Sequence, residues 1–497
     1  MNRLRAARVV VASIMLAITT LLFLDFTGSV HSVLGFAAKI QFIPALLGLH
    51  IAVVLVLVIL TLLFGRLYCS VICPLGIFQD VVSRMASIQN RKRKFSYSKP
   101  LTWLRWGFVA LFVGSIVAGV ASVVALLEPY SAYGRVASNL FAPIYKSGNN
   151  LLAYFAQRVD SYAFYSTDIV VYSFGVLAIA VATMLLVSYL AWRSGRTYCN
   201  TVCPVGTVLG FLSRFSIFKI VIDSEKCNGC QKCVRSCKSE CIVSKEHKVD
   251  YSRCVVCFDC IDSCTQGAVS YVSRLSRKKS KEESTPIDDS KRAMLALSAT
   301  LMATSVVKAQ EKIVDGGLAV IEDKKRPPRK TPIVPPGAGS LRNFTSRCTG
   351  CQLCVSVCPN QVLQPITSLK NFMQPEMVYT IGYCRPECTK CSQVCPAGAI
   401  NLIDRAEKSS TQIGHAVLIE QNCVVLTDGV NCGNCARHCP VGAITMIQAK
   451  DAEKYGSRKI PAIDTERCIG CGACENLCPA RPFSAIYVEG NKHHRII

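Results

Sequence analysis

The chain has 497 residues, 51% of them hydrophobic, with 29 cysteines and a net charge of +24; its mean hydropathy is +0.33. That hydropathy is high for a soluble protein and points to membrane segments, and the length calls for more than one domain. A disulfide scaffold fits poorly, because such scaffolds are small secreted domains. A nucleic-acid role fits poorly too: much of the basic charge flanks apolar runs, as in Arg91-Lys92-Arg93-Lys94 and Arg277-Lys278-Lys279, where membrane topology places it.

Residues 1–220 are predicted to be an α-helical membrane domain. Four apolar stretches, Val9–Leu24, Ile43–Phe64, Gly107–Leu127 and Ile169–Trp192, are each near the roughly 20 residues that span a bilayer. The first follows Arg3, Arg5 and Arg8 and has no small-residue cleavage site after it, so it reads as a helix and not a signal peptide. Basic residues crowd the N-terminus and the segment Arg84–Arg105, whereas Glu128–Asp168 carries only Arg135, Lys146 and Arg158. The excess of Lys and Arg puts both ends of this four-helix unit in the cytoplasm.

The second and fourth stretches each end in the same motif, G-R-x-Y-C-x3-C-P-x-G: Gly65 to Gly76 with Cys69 and Cys73, and Gly195 to Gly206 with Cys199 and Cys203. A pseudo-twofold arrangement would bring four thiols together. They could hold a further 4Fe–4S cluster, act as two redox dithiols, or belong to a motif that packs helix ends; the three readings stay open. The segment Glu128–Asp168 is rich in aromatics, among them Tyr130, Tyr133, Tyr145, Tyr154 and Phe155. It is expected to be an interfacial belt, with a quinol-pocket wall as the functional alternative. His50 falls inside the second stretch, where an ionisable residue is a functional candidate, although a lone histidine is more often a packing residue.

Residues 221–272 carry Cys227-x2-Cys230-x2-Cys233-x3-Cys237 and Cys254-x2-Cys257-x2-Cys260-x3-Cys264. Three closely spaced thiolates wrap one cubane and the fourth reaches the neighbouring cluster. Cys264 should therefore join Cys227, Cys230 and Cys233, and Cys237 should join Cys254, Cys257 and Cys260. Zinc sites use two pairs of ligands instead. Cys241 stands outside every group and is expected to be a buried small residue. This module should be cytoplasmic.

Residues 273–340 read as a linker. Within it Ala293–Val307, at 15 residues short for a span, follows Lys291-Arg292 and precedes Val307-Lys308-Ala309, a pattern like an export signal. A fifth crossing here would put residues 310–497 on the periplasmic side, tethered by Pro327, Pro328, Pro332, Pro335 and Pro336. The alternative is a helix that stays on the cytoplasmic side.

Residues 341–497 hold four cysteine groups: Cys348, Cys351, Cys354, Cys358; Cys384, Cys388, Cys391, Cys395; Cys423, Cys432, Cys435, Cys439; and Cys468, Cys471, Cys474, Cys478, each followed by proline. The outer two have ferredoxin spacing and the inner two are variants. Two pairings are open: first with second and third with fourth, or outer with outer and inner with inner. The expected fold is thus a helical membrane domain plus α+β bacterial-type ferredoxin modules. The 24 ferredoxin-motif cysteines imply six 4Fe–4S clusters, and the C-x3-C-P thiols leave room for a seventh.

Residues 1–272, with four apolar stretches, two C-x3-C-P motifs and two cluster motifs, resemble the NapH type of membrane ferredoxin protein. Residues 291–497 resemble the MauM/NapG ferredoxin family, down to Cys468-Ile469-Gly470-Cys471-Gly472-Ala473-Cys474-Glu475-Asn476-Leu477-Cys478-Pro479. The resemblance implies a fusion of the two, sitting as a multi-pass protein in a bacterial inner membrane. It would take electrons from the quinone pool to a periplasmic or membrane reductase or cytochrome. The competing expectations are an accessory or maturation protein and a redox sensor. Related membrane proteins carry a flavin domain before the first helix; with eight residues there, none is expected. No C-x-x-C-H for haem, no dinucleotide fingerprint and no P-loop is present, so haem, NAD and substrate chemistry of the chain's own are not expected.

Overall fold

The computed structural model describes residues 3–89, 95–161, 163–170, 173–243, 246–273, 322–366, 371–449 and 458–497. The predicted fifth apolar segment, 293–307, lies outside them.

Among the described residues two helices are long and apolar enough to cross a membrane, Arg3–Leu24 and Phe174–Ser194. The other two expected spans are shorter, which corrects the count of four. The Ile43–Phe64 run divides into Phe42–Leu47 and Ile51–Phe64, parted at Gly48 and at Leu49, whose φ is 56°. The Gly107–Leu127 run divides into Thr102–Val117 and Ala121–Leu127, parted at Gly119 with φ 70°. Hydropathy is blind to such breaks. At Gly119 a glycine accepts the left-handed backbone that ends one helix and starts another, at the first break Leu49 carries it, and the apolar run continues across both unchanged. His50 is correspondingly not inside a helix: it stands exposed at the first break.

The aromatic segment is not one interfacial belt either. Glu128 caps the helix Pro129–Val136 by accepting from Tyr130 N (3.0 Å) and Ser131 N, and Pro129 supplies the preset φ of a first helical residue. Tyr130 and Tyr133 are buried, whereas Tyr145, Tyr154 and Phe155 on the following helix, Ala142–Gln157, are exposed. The segment therefore divides into a plug inside the bundle and an outer helix.

The first ferredoxin unit pairs strand Phe218–Ile222 antiparallel with Val269–Ser273, and Ile242–Val243 with Lys248–Val249. The C-terminal unit pairs Leu363–Pro365 with Pro375–Met377, Ile444–Gln448 with Lys459–Ile463, and Thr411–Leu418 with Ile486–Ile496. A bridge from Ser340 to His493 ties its last strand to its start.

These units sit at opposite ends of the same helices. At the Arg3–Leu24 helix, Arg5 pairs with Asp259 of the first unit (2.8 Å), while beyond its other end Lys390 Nζ donates to Thr27 O (3.0 Å). At Ile51–Phe64, Gly48 meets Gly398 at one end and Gly65 meets Val256 at the other. At Thr102–Val117, Arg105 reaches Ser252, and past the break Ala125 meets Gly350. One continuous apolar core runs between them, including Cys257, all four C-x3-C-P cysteines and Cys354.

Candidate iron–sulfur sites

The cluster loops are built by an unusual backbone. In four cysteine groups both neighbours of the second cysteine have positive φ: Gly229 and Gln231 (72° and 56°), Val256 and Phe258 (51° and 63°), Gly350 and Gln352 (65° and 65°), Gly470 and Gly472 (77° and 80°). A left-handed residue costs an L side chain about 1 kcal/mol or more. Its recurrence around Cys230, Cys257, Cys351 and Cys471 shows that the turn is enforced. Such turns aim successive amides inward, as anion-binding nests do. The variant groups lack this form: Thr389 and Gly433, which follow Cys388 and Cys432, have φ −113° and −162°.

The thiols group as fourfold sets. In the first unit Cys233 lies within electrostatic reach of Cys227 and Cys264, and Cys260 of Cys257, Cys237 and Cys254, which is the expected exchange. In the C-terminal unit Cys354 neighbours Cys348, Cys351 and Cys395, and Cys391 neighbours Cys384, Cys388 and Cys358. Cys435 neighbours Cys423, Cys432 and Cys478, and Cys468 neighbours Cys439. The geometry thus takes the first-with-second and third-with-fourth arrangement. The two halves meet where Cys384 N donates to Cys471 O (2.9 Å).

These sets fit 4Fe–4S clusters. They are all-thiol, buried or half-buried apart from the exposed Cys230, and supplied with N–H···S donors such as Ala443 N to Cys439 Sγ (3.2 Å) and Ala485 N to Cys478 Sγ (3.3 Å). Among the described residues no three His, Cys, Asp or Glu side chains converge as a single-ion site would; cubane ligands stand apart by the body of the cluster. Bound there, a cluster supplies reversible one-electron transfer at a potential set by hydrogen bonds and exposure. Cys241 is buried as expected, but it is more than filler: its thiol stands 3.6 Å from Cys237 Sγ. That contact, ahead of burial, lowers Cys237 to about 7.

The C-x3-C-P copies also come together. After each helix the chain folds back as a short turn, Leu67–Val71 and Thr197–Thr201. Arg66 Nη2 donates to Cys199 O (3.1 Å) and lies 3.8 Å from Cys69 Sγ; Arg196 Nη1 donates to Cys69 O (2.6 Å) and lies 3.9 Å from Cys199 Sγ. The two copies thus clasp each other reciprocally. Gly76 and Gly206 make room: a Cβ there would lie 2.3 Å from Cys69 O and 2.1 Å from Cys199 O. Both arginines are fully buried. They were visible in the repeat as shared members of its two copies, but nothing in the sequence said that each reaches across to the other.

Asp80 is a further residue that spacing did not flag. It pairs with Arg8, with Arg196 (2.7 Å) and with Lys238 (3.0 Å), and Lys238 continues to Asp259 (3.1 Å) beside Cys260. Burial alone would raise its carboxyl, but Arg196, Lys238 and Arg8 hold it well below the usual carboxylate range.

Comparison with known proteins agrees with this geometry. A family model described as a 4Fe-4S binding domain matches residues 46–96 and 174–222, covering both C-x3-C-P copies, and a 4Fe-4S dicluster domain matches 347–399 and 429–481. The methylamine utilization ferredoxin-type protein MauM of Methylobacillus flagellatus is 33% identical over 164 residues, 31% of this chain and 68% of MauM. The ferredoxin-type protein NapG of Escherichia coli is 32% identical over 177 residues, 32% of this chain and 75% of NapG. The chain belongs to the MauM/NapG family of ferredoxin-type proteins. YccM of Escherichia coli is 25% identical over 225 residues, 44% of this chain; the chain spans about half of that relative, 54%. No solved structure matches the chain. As a MauM/NapG-family member with 4Fe–4S domains, the protein is an iron–sulfur electron-transfer protein.

Proposed function

We propose that the protein draws electrons from membrane quinol and delivers them through six 4Fe–4S clusters to a partner reductase or cytochrome. On this reading it is a fusion of a NapH-type membrane part, residues 1–272, with a MauM/NapG-type polyferredoxin. It sits in an inner membrane with residues 221–272 cytoplasmic and residues 310–497 periplasmic. The observation that carries the reading is the placement of two multi-thiol units at opposite ends of one set of apolar helices. A cleft between the Arg3–Leu24 and Pro74–Gln89 helices, lined by Val9, Ala12, Ile77, Asp80 and Asp259, supports a quinol site: it combines apolar walls with carboxylates and adjoins Cys260.

The test is quinol-dependent reduction of the purified holoprotein. Bleaching of the iron–sulfur absorption by a short-chain quinol is expected; its absence would leave the accessory or redox-sensing reading in its place. A periplasmic reporter fused near Gly339 checks sidedness, and an inactive fusion would place both units in the cytoplasm.

A further inference from the structure

We propose that Arg135, a residue of the helical part, sets the potential of an iron–sulfur cluster in the other part of the molecule: the one held by Cys348, Cys351, Cys354 and Cys395 at the start of the C-terminal unit. The proposal rests on the iron–sulfur role of that unit and does not depend on quinol.

Arg135 is pinned beside this site from several sides. Its Nη1 donates to Ala125 O (2.6 Å), and Ala125 packs on Gly350, the residue before Cys351. The residue before Arg135, Gly134, lies so close to Cys351 O that a Cβ would come within 2.6 Å. One helical turn on, Asn139 Nδ2 donates to Arg135 O (2.9 Å) and to the Oε1 of Gln352 (2.7 Å), the residue after Cys351. Cys351 itself lies within electrostatic reach of the guanidinium.

The charge on Arg135 has no contact anion within the described protein. The side chain is fully buried, yet its hydrogen bond goes to a neutral carbonyl, and Nε and Nη2 have no partner among the described residues. Glu128 lies within electrostatic reach, but its carboxylate accepts from Tyr130 N (3.0 Å) and Ser131 N at the start of the helix. A buried cation without a partner loses its hydration and gains nothing in return. An iron–sulfur core bound by four thiolates is a net anion, and the set at Cys351 places one beside Arg135. Tyr130 adds a second unmatched donor. It is fully buried, its Oη has no partner among the described residues, and it lies within electrostatic reach of Cys351 and Cys395, two ligands of this same set. Packing of the helix alone gives no reason to bury both donors unpaired against one cluster loop.

Cluster potentials depend on net charge and on hydrogen bonds to sulfur. Reduction brings one electron from a neighbouring iron–sulfur centre, which is oxidised in the same step, and no bond forms or breaks. The added negative charge is stabilised by a fixed cation in a low-dielectric interior, so Arg135 raises the potential and Glu128 opposes it. Arg135 belongs to the helices and the cysteines to the C-terminal unit, so the effect exists only while the two are docked. By linkage, reduction of the cluster tightens docking by the same factor.

The test is an equilibrium redox titration of the full-length holoprotein in detergent, read by electron paramagnetic resonance with dithionite as reductant. No quinol is present, so this result and quinol-dependent bleaching fail independently. The component that belongs to this cluster is the one that Cys354→Ser removes. Arg135→Met should shift its reduction equilibrium about tenfold towards the oxidised form, a potential about 59 mV lower for a one-electron couple, and leave the other components in place. Arg135→Lys should recover most of that shift. Glu128→Gln removes the opposing charge, keeps an oxygen for the cap, and should raise the potential of the same component. An unmoved component in Arg135→Met, a common shift of every component, or a lowered potential in Glu128→Gln would each overturn the proposal. If Arg135→Met fails to fold, Tyr130→Phe decides together with Glu128→Gln: loss of the hydroxyl should lower the same component by less, and a component unmoved by both would overturn the proposal.

Discussion

The two ferredoxin units grip the helices with different chemistry. The first unit is held by charge. Arg5 pairs with Asp259 and Asp262, Arg8 and Lys238 share Asp80, and Arg105 binds Ser252. The C-terminal unit is held mostly by close, uncharged contact: Gly134 on Cys351 O, Ala125 on Gly350, Gly48 on Gly398, and Asn139 Nδ2 donating to Gln352 Oε1 (2.7 Å), with Lys390 Nζ to Thr27 O (3.0 Å) as a charged donor on a neutral carbonyl. The basic end of the helices offers ionic partners, and the opposite end, poorer in Lys and Arg, leaves mostly packing and single hydrogen bonds. The lesson is that the distribution of Lys and Arg along the chain shapes these interfaces.

The comparison can be broken most severely at Asp80. Asp80→Asn strands Arg8 and Arg196 and leaves Lys238 with Asp259 alone, and removal of one partner from a buried ion cluster costs about 3–5 kcal/mol. Thermal unfolding in detergent should register that loss, with the first unit released and the C-terminal unit spared.

Acid should separate the units in the opposite sense. Burial lowers His494, in the last strand of the C-terminal unit, to about 4 from 6.5. Above pH 6.5 it is neutral folded or unfolded. Below that the unfolded chain takes the proton first, so stability falls steadily as pH drops towards 4. Each tenfold difference in proton affinity between the folded and unfolded chain is worth about 1.4 kcal/mol, and the loss therefore reaches about 3 kcal/mol. His494→Gln should flatten the profile measured by denaturant unfolding, while Asp80, held well below the carboxylate range, stays charged throughout.

The packed interface should yield to a single methyl. Gly134→Ala puts a Cβ 2.6 Å from Cys351 O and 2.7 Å from the Phe23 ring. Overpacking of this kind costs about 1–3 kcal/mol, and a lower unfolding temperature of the C-terminal unit in detergent would report undocking. Smallest of all, Asn139→Ala removes two hydrogen bonds, one within its own helix to Arg135 O and one across the interface to Gln352, the latter worth about 1 kcal/mol. It should weaken docking only slightly, and an effect as large as that of Gly134→Ala would show that polar contact carries the interface after all.

Much of the chemistry was legible in the residues themselves. Ferredoxin spacing is local: the chain must wrap one cubane with three nearby thiols, so the triplets at Cys227, Cys254, Cys348 and Cys468 announce themselves. The same holds for the repeated G-R-x-Y-C-x3-C-P, whose copies carry Arg66 and Arg196 in register. Helix length was less legible, because an apolar run reads the same whether or not left-handed residues such as Leu49 and Gly119 break it.

What the tertiary structure alone decided is long-range. It chose which fourth cysteine joins which triplet in the C-terminal unit, since that depends on how the halves fold over each other at Cys384 and Cys471. It also decided that the two repeats clasp, that Asp80 answers Arg196 while Arg66 meets no carboxylate among the described residues, and that the aromatic segment turns inward at Tyr130 towards Cys351. Spacing along a chain encodes a ligand set only when neighbours in sequence are neighbours in space. For charges buried between helices far apart in the chain, packing is what sets the partner.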